Sequence, residues 1–157
     1  MRSVFGRWLL ETAKKDPSVV LLVGDNGYAT FLPFQREFPN RYFNVGICEQ
    51  SMVGVAAGMA MEGLHPYVFT ITSFLLERAF EQIKLDVDAQ NVNVKLVGYG
   101  SYAAEGVTHT TLDTARMVSL LPNTYGCFPS TEQELLDALD VSYLGAVPAF
   151  ISLQRLT

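Results

Sequence analysis

Residues 44–58 read Asn44-Val45-Gly46-Ile47-Cys48-Glu49-Gln50-Ser51-Met52-Val53-Gly54-Val55-Ala56-Ala57-Gly58, and their pattern decides the fold. A short strand over residues 42–45 runs into the Gly46 turn. Glu49 then opens a helix, residues 49–61, that is rich in Gly and Ala. The small residues Gly54, Ala57 and Gly58 let another helix or a backbone approach closely. A carboxyl at the first residue of a helix sits where a ligand can meet it. It also complements the helix dipole, and spacing alone does not choose between the two roles.

The alternation extends in both directions. Residues 2–15 read as a helix with Val4, Phe5, Trp8, Leu9 and Thr12 on one face, ended by Asp16-Pro17. Residues 19–23, VVLLV, form the continuous apolar run of a strand covered on both faces. Gly24-Asp25-Asn26-Gly27 is the turn at its carboxyl end. A short helical piece over 32–38 stops at Pro39. Downstream come a strand (67–71), a helix (74–89), a strand (92–97) and a polar loop (98–110). A helix (112–120), a strand (124–128), a helix (131–143) and a strand (149–153) complete the order. Thr131 and Glu134 have capping-box spacing. The order predicts one domain over residues 1–157, a three-layer α/β/α sandwich with a mainly parallel sheet. Ligands bind such sheets at the carboxyl ends of strands. The loops 24–28, 46–50 and 99–110 are therefore the candidate ligand loops.

Composition narrows the classes. Of the 157 residues, 49% are hydrophobic and 17% charged, an apolar balance that predicts a large interface. The net charge of −5 and the absence of a Lys/Arg run argue against nucleic acid. Apolar runs are broken before membrane-spanning length, and no signal peptide is legible, so a cytoplasmic protein is expected. Cys48 and Cys127 lie in apolar contexts without metal-ligand spacing and read as buried free thiols. His65, before Pro66, reads as a surface turn residue. The arginines are scattered and mark no phosphate cluster.

The Asn44–Gly58 stretch resembles the Glu-Gln motif of the transketolase and deoxyxylulose-phosphate synthase families. The resemblance resumes at Ser73-Phe74-Leu75-Leu76-Glu77-Arg78-Ala79-Phe80-Glu81-Gln82-Ile83-Lys84-Leu85-Asp86. It returns at Gly106-Val107-Thr108-His109 and at Leu121-Pro122-Asn123. Four motifs in order span nearly the whole chain and point to the pyrimidine-binding domain of a split transketolase.

That resemblance implies thiamine diphosphate as the cofactor, and it implies a role for each matching residue. Thiamine diphosphate carries its own carbanion-stabilising chemistry while the protein binds, orients and activates it. Glu49 matches the glutamate that hydrogen-bonds a ring nitrogen of the aminopyrimidine, for which it must hold or share a proton. Phe74 matches the phenylalanine that stacks on that ring; the alternative is a core aromatic under the loop. Ile71 matches a position where relatives often carry another aromatic, and an ordinary core role stands level with it. Asp25 matches an acidic residue near the cofactor, with a turn-forming role as the alternative. His109 matches a histidine that contacts the donor's carbonyl or hydroxyl groups. Glu105 stands where relatives often have an acidic residue facing substrate, but Ala104-Glu105-Gly106-Val107 departs from the more usual Asp-Gly-Pro before Thr-His. Glu77, Arg78 and Asp86 are either a structural charge network or part of the site.

Gly24-Asp25 is not the Gly-Asp-Gly motif that holds magnesium diphosphate in these enzymes, and no metal ligand is expected in this chain. The diphosphate-binding and carboxyl-terminal domains of the family are absent from the sequence. The chain begins with Met and a helix, as the second half of split transketolases does. The expectation is a subunit that transfers a two-carbon ketol unit. A partner chain would hold the diphosphate through Mg2+, in a hetero-oligomer of two-fold symmetry. The alternatives are a synthase-like carboligase subunit with an α-keto acid donor, and a non-catalytic interaction subunit.

Overall fold

The computed structural model describes residues 1–100 and 102–153; Ser101, within the loop read as 98–110, lies outside the described residues. In chain order the elements are α1 (Arg2–Lys15), β1 (Val19–Val23), α2 (Tyr28–Glu37) and, after a 3-10 turn at Pro39–Arg41, β2 (Tyr42–Asn44). Then come α3 (Glu49–Met61), β3 (His65–Ile71), a π-helical turn (Ser73–Glu77), α4 (Phe80–Gln82), a second π-helical segment (Ile83–Asp88) and β4 (Lys95–Tyr99). Two 3-10 turns, Ala103–Glu105 and Val107–His109, precede α5 (Thr114–Val118), β5 (Tyr125–Cys127), α6 (Glu132–Leu144) and β6 (Ala149–Leu153).

The six strands form one sheet in the order β2-β1-β3-β4-β6-β5, and every neighbouring pair is parallel. The apolar run of β1 serves both faces by alternation. Val19, Leu21 and Val23 point to a core shared with Phe5 and Leu9 of α1, Phe31 and Phe34 of α2, and Leu135 and Leu139 of α6. Val20 and Leu22 point to the other core, with Met52, Val53, Ala56 and Ala57 of α3 and with Leu75, Ile83 and Val118. Burying one such Val or Leu contributes roughly 1.5–3 kcal/mol, so both layers are held by ordinary apolar packing. The expected α/β/α sandwich is present, with its sheet parallel throughout.

Three expectations are corrected. Residues 74–89 do not form one α-helix, because two π-helical segments flank three α-helical residues. His65 is no surface turn residue: it opens β3, is 7% exposed, and stacks between Tyr67 and Tyr143 at centroid distances of 5.4 and 5.2 Å. Burial, reinforced by the Lys95 charge, pushes its imidazole down to about 4. Cys48 is exposed at the start of α3, whereas Cys127 is buried; neither is in a disulfide.

Lys95 is wholly buried at the start of β4. Its Nζ donates to the carbonyls of Gly145 (3.1 Å) and Val147 (2.7 Å), closing the carboxyl end of α6. No described helix is long and apolar enough to cross a membrane.

Candidate active site

Gly46 turns the chain at φ +71°, in the left-handed region open to glycine. Glu49 comes next as the first residue of α3 and is 1% exposed. A buried carboxyl needs partners. Arg78, from the end of the first π-helical turn, supplies one: Nη1 donates to Oε2 at 2.7 Å. The other oxygen, Oε1, is buried and has no hydrogen-bond partner among the described residues. It faces Gly24 at the end of β1, where an added Cβ would lie 3.3 Å from Oε1 and 3.0 Å from Thr70 Oγ1. Glycine at 24 therefore lets the end of β1 pack closely against a carboxyl oxygen that nothing among the described residues satisfies.

Phe74 is half-buried on the same π-helical turn. The Arg78 guanidinium lies over its ring, 4.1 Å from the centroid. The His109 ring meets Phe74 edge-on, centroids 4.8 Å apart. Glu49, Arg78, Phe74 and His109 thus form one continuous contact chain. π-Helical turns are uncommon and gather at functional sites; here the wide turn carries both Phe74 and Arg78.

The loop bearing His109 is tied to that turn. Ser73 Oγ donates to the Thr108 carbonyl at 2.9 Å, and the Leu112 amide donates to Glu77 Oε1 at 2.7 Å. Across the loop, the Tyr102 amide donates to the His109 carbonyl at 2.7 Å. Thr108 Oγ1 lies 3.0 Å from His109 Nδ1, and Glu105 Oε2 lies 3.5 Å from His109 Nε2. The Glu105 side chain is 59% exposed, against 26% for His109. Glu105 is placed to attract a positive imidazole while remaining open to solvent or substrate. Glu77 acts as a loop anchor. Asp86 lies on the flank of α3, its Oδ2 3.6 Å from the Cβ position of Gly54.

Asp25 sits at the end of β1 with φ +54° and is exposed. It is joined to β2 twice: its amide donates to Asn44 Oδ1 at 3.2 Å, and Asn44 Nδ2 donates to its Oδ1 at 3.0 Å. The contacts set the turn. For Ile71 the sequence leaves a core role and a cofactor contact open. The residue packs against the α1/α2/α6 core, on the sheet face opposite α3, and its contacts are those of a core residue.

Several residues at the strand ends carry no clear signal in the sequence. Asn26 Nδ2 donates to the Gly24 carbonyl (2.9 Å) and to Thr70 Oγ1 (2.7 Å), while its Oδ1 is buried without a partner. Only its place in the Gly-Asp-Asn-Gly turn could have flagged it. On the α1/α2 side, a cleft of about 530 Å3 is lined by Arg2, Ser3, Tyr28, Thr30, Tyr99 and Tyr102, among others. The Arg2 guanidinium lies 4.8 Å from the Tyr99 ring centroid. Helices α1 and α2 both start at this cleft without a side-chain cap or an acidic first turn, so it favours negative charge. A single arginine without a basic run does not mark such a place in the sequence.

The thiamine diphosphate implied by the resemblance can be tested against these features. A buried, unpartnered Oε1 suits a ring nitrogen with a shared proton. Phe74 offers such a ring an aromatic contact. The residues present fit the aminopyrimidine half of that cofactor, with Glu49 and Phe74 as the groups that would hold it. Among the described residues, no group of three or more His, Cys, Asp or Glu side chains could hold a metal ion.

Comparison with known proteins identifies the family and the fold. The family model of the transketolase pyrimidine-binding domain matches residues 1–157. The 1-deoxy-D-xylulose-5-phosphate synthase of Idiomarina loihiensis is 35% identical over 158 residues, covering 97% of this chain and 25% of that protein. An uncharacterized 33.6 kDa protein of the fasciation locus of Rhodococcoides fascians is 38% identical over 142 residues, covering 88% of this chain and 46% of that protein. Among solved structures, a split-gene transketolase described as an inactive β4 tetramer superimposes with a TM-score of 0.88 at 29% identity. It covers 98% of this chain and 50% of that one. Transketolase from Leishmania mexicana shares the fold, with a TM-score of 0.86 at 19% identity over 98% of this chain and 25% of that one. The chain spans between a quarter and a half of the length of these relatives.

Proposed function

We propose, on the premise that the chain belongs to the transketolase pyrimidine-binding domain family, that it supplies the aminopyrimidine-binding half of a thiamine diphosphate-dependent active site that transfers a two-carbon ketol unit. A partner chain carrying the diphosphate-binding domain, with its Mg2+, completes the site. The observation that carries this reading is the Glu49 carboxyl, buried, with one oxygen held by Arg78 and the other unpartnered. The split-gene relative, inactive as a β4 tetramer, supports the need for an unlike partner. The assembly is read as a hetero-oligomer of two-fold symmetry, in the cytoplasm, where free thiols persist.

When bound, the cofactor supplies the carbanion-stabilising chemistry. Glu49 would hold a proton at Oε1 for the ring nitrogen of the bound cofactor. Phe74 orients the ring by contact with its face or edge. Asp25 and Asn26, in the turn at the end of β1, would lie on the cofactor side of the domain. His109, with Glu105 beside Nε2, donates or accepts a hydrogen bond at the donor's oxygen atoms. The Arg2 cleft receives the anionic end of a phosphorylated substrate. Ile71 contributes packing.

Replacing Glu49 by Gln in the assembled complex tests this directly. The rate of proton exchange at the thiazolium carbon should fall by about 100-fold or more, on the scale of a lost acid–base group, with the fold intact. An unchanged exchange rate removes Glu49 from the role.

A second reading has its own support, because the synthases are 35% identical over 97% of the chain: a carboligase subunit with an α-keto acid donor. Turnover of a ketose phosphate but not of a 2-keto acid by the complex supports ketol transfer, and the reverse supports the carboligase.

A further inference from the structure

We propose that Arg78 is a positioning residue for Glu49: by holding Oε2, it fixes the carboxyl so that Oε1 is the oxygen presented to the aminopyrimidine ring nitrogen. The inference rests on the reading of Glu49 given above. The terminal torsion of a glutamate is broad and roughly two-fold, so an unanchored carboxyl presents either oxygen at either angle. Arg78 removes that freedom. Its Nη1 donates to Oε2 at 2.7 Å, while its flat guanidinium lies 4.1 Å from the Phe74 ring centroid. The cation is therefore held by charge on one side and by an aromatic ring on another. A lysine could supply the charge but not the planar face.

The local backbone makes the arrangement possible. The Arg78 amide donates to the Ser73 carbonyl, five residues back, in the π-helical pattern. That turn presents Phe74 and Arg78 together to the first residue of α3. With Oε2 occupied, the oxygen left over is Oε1, buried, without a hydrogen-bond partner among the described residues, and close to Gly24 at the end of β1. One aromatic side chain and one carboxylate thus orient the same guanidinium, and the guanidinium selects the working oxygen.

The test uses the complex assembled with the partner chain, titrated in the presence of Mg2+. One ligand is thiamine diphosphate; the other is an analogue with carbon in place of the ring nitrogen that faces Glu49. The native complex should prefer the cofactor by about tenfold, the worth of one buried hydrogen bond to a charged or shared-proton group. Arg78→Met should bind the two ligands alike, with its affinity for the analogue unchanged. Arg78→Lys should recover part of the preference. An arginine that only stabilised the fold would weaken both ligands together or neither, and native preference in Arg78→Met overturns the proposal. If Arg78→Met fails to assemble, the lysine variant decides: a reduced preference supports the proposal and a full one overturns it. Glu49→Gln separates the two levels. Preference lost there but kept in Arg78→Met overturns the role of Arg78 alone. Preference kept in both overturns the reading of Glu49, and this proposal with it.

Discussion

Phe74 and His109 meet edge to face, with ring centroids 4.8 Å apart and planes at 71°. The contact joins the group expected to touch the cofactor ring to the group expected to touch the donor. Phe74→Ala should therefore act on both. We expect cofactor affinity in the complex to fall by about tenfold, consistent with the loss of an aromatic pair plus buried area, and the donor KM to rise as His109 loses its support. Calorimetric titration and steady-state kinetics check this; native values for both remove Phe74 from the site.

Gly24→Ala probes the space beside Glu49. Its methyl would lie 3.0 Å from Thr70 Oγ1 and 3.3 Å from Glu49 Oε1. Both neighbours are buried, so relief requires movement in a packed region. We expect a stability loss of about 1–3 kcal/mol from overpacking and a larger proportional loss of cofactor binding. Unchanged affinity would place the ring elsewhere.

Ser73→Ala should loosen the loop without unfolding the domain. Ser73 Oγ donates to the Thr108 carbonyl, and losing one such bond costs about 1 kcal/mol. The amides of His109 and Thr110, which close the 3-10 turn onto Gly106 and Val107, should exchange with solvent faster, while the sheet amides stay protected. Unaltered exchange across this loop would show that other contacts hold it.

His65 sets an acid limit on stability. Burial lowers its folded-state value to about 4 from an ordinary 6.5. The unfolded chain therefore binds the proton first as pH falls. The stability associated with a neutral His65 is full above pH 6.5 and is lost as pH falls toward 4, by up to about 3 kcal/mol. The facing groups are Tyr67, Tyr143, Asp16 and Lys95. His65→Phe, which keeps a ring in the stack, should flatten this part of the stability–pH curve in chemical denaturation. An identical slope between pH 6.5 and 4 would assign the acid sensitivity to other groups.

Much of the fold was legible because its signals are local. The VVLLV run of β1 divides its side chains between two cores as a doubly covered strand must. The helix opened by Glu49 begins and ends where its composition indicates. What escaped depends on contacts between distant residues. His65 looks like a turn residue beside Pro66, yet β1 pairing continues through Val19↔His65 and Tyr143 of α6 covers the ring. The spacing of apolar residues over 74–89 suits an α-helix and gives no sign of the π-helical segments. Within the candidate site, Glu49, Phe74 and His109 could be named from motif order. The Arg78–Glu49 pair, 29 residues apart, could not, because no periodicity links a π-helical turn to the start of another helix. Ile71 stands open in the sequence between a cofactor contact and a core role, and alternation along β3 places it against the α1/α2/α6 core.

The most direct test of the central claim is calorimetric titration of thiamine diphosphate with Mg2+ into the chain alone, and then into the chain mixed with the partner carrying the diphosphate-binding domain. No measurable binding is expected for the chain alone and saturable binding for the mixture, with one cofactor per pair of unlike chains. Tight binding by the chain alone, or none by the assembled mixture, would contradict that claim.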